Sequence, residues 1–237
     1  MKILLTNDDG IDAPGLEALW HAVGQYFSSH DHQIVVVAPD RGRSECGHSI
    51  SGGDHLVVKE VKPNWFSVSG TPVECVRVAM CELAPETQCV FSGINAGANL
   101  GVDLLVSGTF AAAREAAIHN VDAMAISHYR RPDVPQTWDH AADWLSDVFD
   151  AFVEQQPASG VRSRCIWNVN LPAINPTGSH PPIEYCEVDR MPMHRVSIRD
   201  GEQLRFQSDF HGRPREPDSD VHHCFSGRLT ISKVAPL

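Results

Sequence analysis

Apolar residues along this chain come in two rhythms. Short runs rich in β-branched residues alternate with longer stretches in which apolar positions recur every three or four residues. Lys2-Ile3-Leu4-Leu5-Thr6 and Gln33-Ile34-Val35-Val36-Val37-Ala38-Pro39 are runs of the first kind. Unbroken apolar runs of that length read as strands covered on both faces. Between them, Leu16, Leu19, Trp20, Val23 and Phe27 repeat at helical spacing, behind a Pro14 suited to a first helical turn. Strand, helix, strand within forty residues is a βαβ unit, and it predicts a parallel sheet.

The same two rhythms continue. Residues 55–68 alternate without helical period and predict a hairpin or irregular strands. Gly70-Thr71-Pro72 is a turn, and 73–83 predicts a helix. Cys89 to Ser92 and Ala123 to Ser127 predict strands, with a small-faced helix over 110–119 between them. An amphipathic helix is predicted over 137–153 and a strand over 165–172. Beyond Pro172, prolines and charges with weak alternation run to about His223. This segment predicts short strands and hairpins, an arm suited to oligomerisation, followed by a last strand over 227–232. The expected fold class is α/β with a mainly parallel sheet. A core over 1–172 is followed by an extension over 173–237 that belongs to the same domain.

Each strand exit carries chemistry. The first empties into Asn7-Asp8-Asp9-Gly10. Adjacent carboxylates raise each other's pKa unless a cation joins them, and a hard, oxygen-loving cation such as Mg²⁺ or Mn²⁺ is the natural one. A solvated Asx-turn is the plainer reading of the same residues. The second exit is the loop from Asp40 to Ser49, with Arg41, Arg43, Ser44 and His48. The third is Gly93-Ile94-Asn95-Ala96-Gly97-Ala98-Asn99-Leu100-Gly101, where glycines allow backbone to approach a ligand. Ser107-Gly108-Thr109 then opens a helix, where it forms either an anion pocket or a simple N-cap. Ligand sites in open α/β sheets gather at the carboxyl ends of strands. Four such loops on one rim specify a divalent metal beside an oxyanion.

Composition narrows the classes. With 19 basic against 30 acidic residues, the formal charge is −11, which argues against a broad face for polymeric nucleic acid. A small anionic substrate is still admitted, because a metal supplies positive charge. Seven cysteines without any Cys-x-x-Cys suit reduced thiols. No signal-peptide core or run of eighteen apolar residues is visible, so a cytoplasmic protein without a membrane span is expected.

In order and spacing, Thr6-Asn7-Asp8-Asp9-Gly10, Val37-Ala38-Pro39-Asp40-Arg41-x-Arg43-Ser44, Gly47-His48-Ser49, Gly70-Thr71-Pro72, Ser92-Gly93-Ile94-Asn95-Ala96-Gly97-x-Asn99-Leu100-Gly101, Ser107-Gly108-Thr109 and Asn168-Val169-Asn170-Leu171-Pro172 resemble the SurE (survival protein E) nucleotidases. The resemblance implies a three-layer α/β/α sandwich with a Rossmann-like sheet and a C-terminal extension that exchanges between subunits of a homodimer or homotetramer. It implies a phosphomonoesterase acting on nucleoside monophosphates, on 5′-phosphates with 3′-phosphates left open. One Mg²⁺ or Mn²⁺ per subunit would be held by Asp8, Asp9, Ser44 and Asn95, with Asp8, Asp9 and Asn95 as the catalytic set. Asn99, Ser107, Gly108 and Thr109 match the family's phosphate-binding part. Glu74 stands where the family usually has Asp, and Val106 where it usually has Tyr.

Other readings stay open at this level. The chain could bind or sense nucleotides without turnover, and an Asp could attack in place of water. Arg41 and Arg43 either touch substrate or are solvated, and His48 is either an acid for the leaving group or a structural histidine. His222-His223-Cys224 reads as a surface or interface loop rather than a soft-metal site, since no fourth ligand is spaced to join it.

Overall fold

The structure is a computed structural model describing residues 1–29, 31–44, 46–52, 55–155, 165–176 and 180–237. His30, Glu45 and residues 177–179 of the stretches above lie outside the described residues. The first half of the chain supplies β1 (Lys2–Thr6), α1 (Pro14–Tyr26), β2 (Gln33–Pro39), β3 (Val58–Lys62), β4 (Trp65–Val68), α2 (Pro72–Val78), β5 (Cys89–Asn95) and α3 (Gly108–Ile118). The second half supplies β6 (Asp122–His128), α4 (Ala141–Glu154), β7 (Ile166–Leu171), β8 (Ile183–Tyr185), β9 (Arg195–Asp200), β10 (Gln203–Ser208), α5 (Asp220–Phe225) and β11 (Leu229–Val234).

Among the described residues nine strands form one sheet in the order β3-β4-β2-β1-β5-β6-β7-β11-β8. β2, β1, β5, β6 and β7 run parallel, as the βαβ reading predicts. The alternation of β1 divides the core. Ile3 and Leu5 pack with α1 and α4 through Leu16, Leu19, Val23, Leu145 and Phe149. Leu4 packs with α2 and α3 through Val76, Ala112, Ala113 and Ala116. Helices on both faces of the sheet make the three-layer sandwich, and the largely apolar central strands are the consequence of double coverage. Among the described residues no helix is long and apolar enough to cross a membrane.

Several local expectations are corrected. The helix expected over 137–153 begins at Ala141, because Thr137 and His140 are committed to side-chain and backbone contacts described below. The helix over 73–83 is α2 followed by a wider turn over Ala79–Leu83. In the extension, β8 and β11 join the main sheet, and β9 and β10 form a separate hairpin. His222-His223-Cys224 is not a loop but half of α5, with Cys224 buried. Ser219 caps it, accepting the His222 N–H at 3.2 Å. A Ser-Asp start and a Gly227 just past the end were the signals available for that helix.

A third, small core sits above the carboxyl ends of the strands. Leu100, Tyr129, Ala173, Val221 and Cys224 pack there with Phe210 and Phe225. It joins the C-terminal segment to the loop after β5.

Candidate active site at the strand exits

β1 lies between β2 and β5, where the strand order reverses direction, the position at which open α/β sheets bind ligands. The turn that follows it is built locally. Asn7 donates from Nδ2 to the Gly10 carbonyl at 2.8 Å and accepts the Gly10 N–H at 3.3 Å. Gly10 has φ +105°, and a Cβ there would stand 3.1 Å from the Arg41 backbone, so the turn and the loop after β2 can meet only at glycine. The Arg43 N–H donates to the Asp8 carbonyl at 2.7 Å and completes that junction.

Asp8 is buried and Asp9 half-buried. Thr109 donates its hydroxyl to Asp8 Oδ1 at 2.6 Å. Burial pushes the Asp8 carboxyl up to about 6 against that hydrogen bond, and the neighbouring Asp9 charge adds to the rise. Asp9 Oδ2 accepts the Ala96 N–H at 3.1 Å, joining the β1 exit to the β5 exit. No cationic side chain among the described residues forms an ion pair with either carboxylate.

Asp8, Asp9, Ser44, Asn95, Asn99 and Ser107 line one cavity of about 430 Å³, within the usual size of small-molecule sites. Asn95 donates from Nδ2 to the Gly97 carbonyl at 2.8 Å, which leaves its Oδ1 uncommitted. Asn99 is held from below. Its N–H donates to Asn170 Oδ1 at 2.9 Å, its Nδ2 donates to the Ser127 hydroxyl at 2.8 Å, and its carbonyl accepts from both Asn168 and Asn170 at 3.0 Å. The Asn168-Val169-Asn170 motif therefore supports the site without lining it.

Ser107, Gly108 and Thr109 divide the work. Ser107 lines the cavity and also caps α3, accepting the Phe110 N–H at 3.0 Å. Gly108 lies against Asp8: a Cβ there would stand 2.8 Å from the Asp8 Cβ and 3.0 Å from its Oδ2. Thr109, fully buried, spends its hydroxyl on Asp8. Gly108 and Thr109 are thus placed to shape and hold Asp8, outside the cavity lining.

Other predicted residues lie elsewhere. Arg43 donates toward Asp40 at 3.4 Å, and Arg41 is exposed outside the lining. His48 pairs through Nε2 with Glu115 at 2.9 Å, on a carboxylate that also receives Arg77 at 2.6 Å. His48 is the structural histidine of its two readings, pinning the loop that carries Ser44. Sequence reasoning missed the contribution of the extension: Met193, Arg195, Ser208 and Phe210 also line the cavity, as do Asp103 and Val106. Asp103 receives the buried Arg213 at 2.5 Å. A larger cavity of about 680 Å³ lies at the amino ends of the strands, lined by residues such as Met1, Phe91 and Phe152, far from these loops.

The donors are two carboxylates, one hydroxyl and one free amide oxygen, and no described group of three or more His, Cys, Asp or Glu side chains is arranged to hold a metal ion. All-oxygen donors suit a hard divalent cation that keeps several waters. An unpaired carboxylate pair, one member buried and resisting ionisation, fits the same group.

The profile of the family described as "Survival protein SurE" matches residues 3–195. A relative from Nostoc sp. (strain PCC 7120), named provisionally as a 5′-nucleotidase, is 37% identical over 235 residues, spanning 99% of both chains. "5′-nucleotidase SurE" of Clostridium botulinum (strain 657) is 37% identical over 177 residues, covering 73% of this chain and 67% of its own. The crystal structure of SurE protein from Aquifex aeolicus superimposes with a TM-score of 0.81 at 25% identity, covering 100% of this chain and 94% of that one.

Proposed function

Because the chain belongs to the survival protein SurE family, we propose that it is a metal-dependent 5′-nucleotidase, releasing phosphate from nucleoside 5′-monophosphates. The observation that carries this reading is the meeting of Asp8, Asp9, Asn95 and the start of α3 around one cavity.

Asp8, Asp9, Ser44 and Asn95 would hold the cation. When bound, Mg²⁺ or Mn²⁺ supplies positive charge to the phosphoryl oxygens and activates a water. Thr109 fixes the rotamer of Asp8 through its hydroxyl, and the Ala96 N–H does the same for Asp9. The Ser107 hydroxyl and the second hydrogen of Asn99 Nδ2, both on the cavity wall, offer donors to charge that builds on the phosphoryl oxygens. Met193, Arg195 and Phe210 line the same cavity. They form the natural seat for the nucleoside, where Val106 leaves no aromatic ring.

The exposed β9–β10 hairpin supports a homo-oligomer. Phe206 is 70% exposed and Val196 52%, on an arm that pairs with nothing else among the described residues of its own chain. A second copy would cover these side chains.

Phosphate release from 5′- and 3′-nucleoside monophosphates, each with Mg²⁺, Mn²⁺ or EDTA, tests the enzyme reading. Cation-dependent release from 5′-substrates is expected. A folded, cation-binding protein that binds nucleotide and releases nothing would replace it with a sensing module.

A further inference from the structure

A second cleft of about 290 Å³ adjoins the first, with Asp9 and Ala96 as the shared wall. Its other walls are Pro14 and Gly15 at the start of α1, and Arg130, Gln136 and Trp138 from the connection between β6 and α4.

Arg130 is the unexplained group. Its guanidinium carbon lies 4.0 Å from the Trp138 ring centre, a cation–π contact that fixes its plane. Nη1 donates to the Thr137 carbonyl at 3.1 Å, while Nη2 is buried without an acceptor among the described residues. No carboxylate among the described residues pairs with it. Burial lowers its pKa to about 10, so it carries its charge at neutral pH. A charged donor left without an acceptor is costly, and that cost is recovered when an acceptor arrives. The start of α1 adds to the same field, since Ala13 offers no side chain to the first turn. The helix start alone would select nothing; the unpaired guanidinium across from it selects an anion.

We propose that this cleft is an oxyanion subsite beside the reaction cavity, taking a phosphate-sized group with Arg130 as its principal donor. The group is either the second phosphate of a doubly phosphorylated nucleoside or free inorganic phosphate. The first source rests on the nucleotidase reading, and the second does not. Asp9 on the shared wall opposes an anion, so binding strengthens when a divalent cation is present.

Two measurements on the full chain test this. Steady-state kinetics compare a nucleoside 5′-monophosphate with the 3′,5′-bisphosphate, for wild type, Arg130→Gln and Arg130→Lys. Titration with inorganic phosphate and Mg²⁺ follows the tryptophan emission lost in Trp138→Phe. Arg130→Gln is expected to raise the bisphosphate KM about tenfold or more, leave the monophosphate KM within about twofold, and abolish the Trp138 response. Arg130→Lys, which keeps the charge, recovers part of each. A phosphate response with no bisphosphate advantage assigns the subsite to the free anion. A phosphate response lost in Arg130→Gln, with no turnover of any nucleotide, keeps the subsite and defeats the nucleotidase reading. Unchanged bisphosphate KM and unchanged emission in Arg130→Gln would overturn the proposal. So would equal KM increases for both substrates, which would place Arg130 in the reaction cavity itself.

Discussion

The carboxylate of Asp220 accepts the N–H of Gly101 at 2.9 Å, across 119 positions of chain. Asp220 is fully buried and also accepts the N–H groups of Asp189 and Val221, each at 2.8 Å. One side chain of the C-terminal segment thus ties down the loop between Asn95 and Ser107. Replacing Asp220 by Ala orphans three buried donors at about 1–3 kcal/mol each. A loss of several kcal/mol in urea denaturation is expected, with Asp220→Asn intermediate. A loss under about 1 kcal/mol would contradict the clamp.

Gly108→Ala tests the contact that shapes the carboxylate pair. The added Cβ would need the space of Asp8. Overpacking of this kind costs about 1–3 kcal/mol, so the variant should fold. Its phosphate release is expected to drop by about a hundredfold, because the displaced group is Asp8 itself. Wild-type turnover in Gly108→Ala would show that Asp8 tolerates the shift.

Removal of the cation gives the broadest test of the proposed chemistry. EDTA should abolish phosphate release, and added Mg²⁺ or Mn²⁺ should restore it. Asp8→Asn should lower release by roughly a thousandfold, the scale of several kcal/mol attributed to a catalytic metal. Full activity in EDTA would sink the metal reading while leaving the fold intact.

His128 and His140 set an acid limit on stability. His128 Nδ1 faces the Tyr129 carbonyl at 2.9 Å and must carry the proton there, so its Nε2 accepts from His140 Nε2 at 2.7 Å. Burial holds His128 down to about 3 and His140 to about 4, with the Arg130 charge reinforcing both shifts. Above pH 6.5 neither state binds these protons. Below it the unfolded chain takes them up and the folded chain refuses, so stability falls by about 1.4 kcal/mol per pH unit for each histidine. Asp8 works in the opposite sense between about pH 6 and 3.8, where the metal-free folded state is the better proton acceptor. Two histidines outweigh one carboxylate. Urea midpoints in EDTA should fall from pH 7 to pH 5, and His140→Gln should flatten the fall. An unflattened profile would place the pH dependence in other groups.

The hairpin arm makes a prediction for assembly. Phe206→Glu, on a side chain 70% exposed, should shift the particle mass from oligomer toward monomer in light scattering. Chain stability should change by less than about 0.5 kcal/mol. An unchanged mass would remove the arm from the interface.

The parallel sheet was legible because β1 and β2 are apolar runs buried on both faces around a helical period, and β5, β6 and β7 are short buried stretches of mainly apolar residues. Asp8, Asp9, Ser44, Asn95, Asn99 and Ser107 were legible because each follows a strand or opens a helix on the same rim. What escaped depends on partners far away in sequence. Nothing near Thr109 says that its hydroxyl will be spent on Asp8, and nothing near His48 announces Glu115. The short α5 was hidden among prolines and charges. The contribution of Met193, Arg195 and Phe210 to the cavity follows from where the hairpin folds back, which no local period encodes.

The place of β11 has a consequence for how the protein is made. It lies between β7 and β8, antiparallel to the one and parallel to the other. Until residues 229–234 have left the ribosome, β7 has no neighbour on that side and β8 has no sheet to join. An apolar strand with an unpaired edge is an aggregation hazard. Nascent chains paused before this point would carry that edge exposed, and those paused before Asp220 would also have an untethered loop after β5. Chaperone demand should therefore persist until residues 229–234 emerge, and activity should wait until β11 closes this side of the sheet.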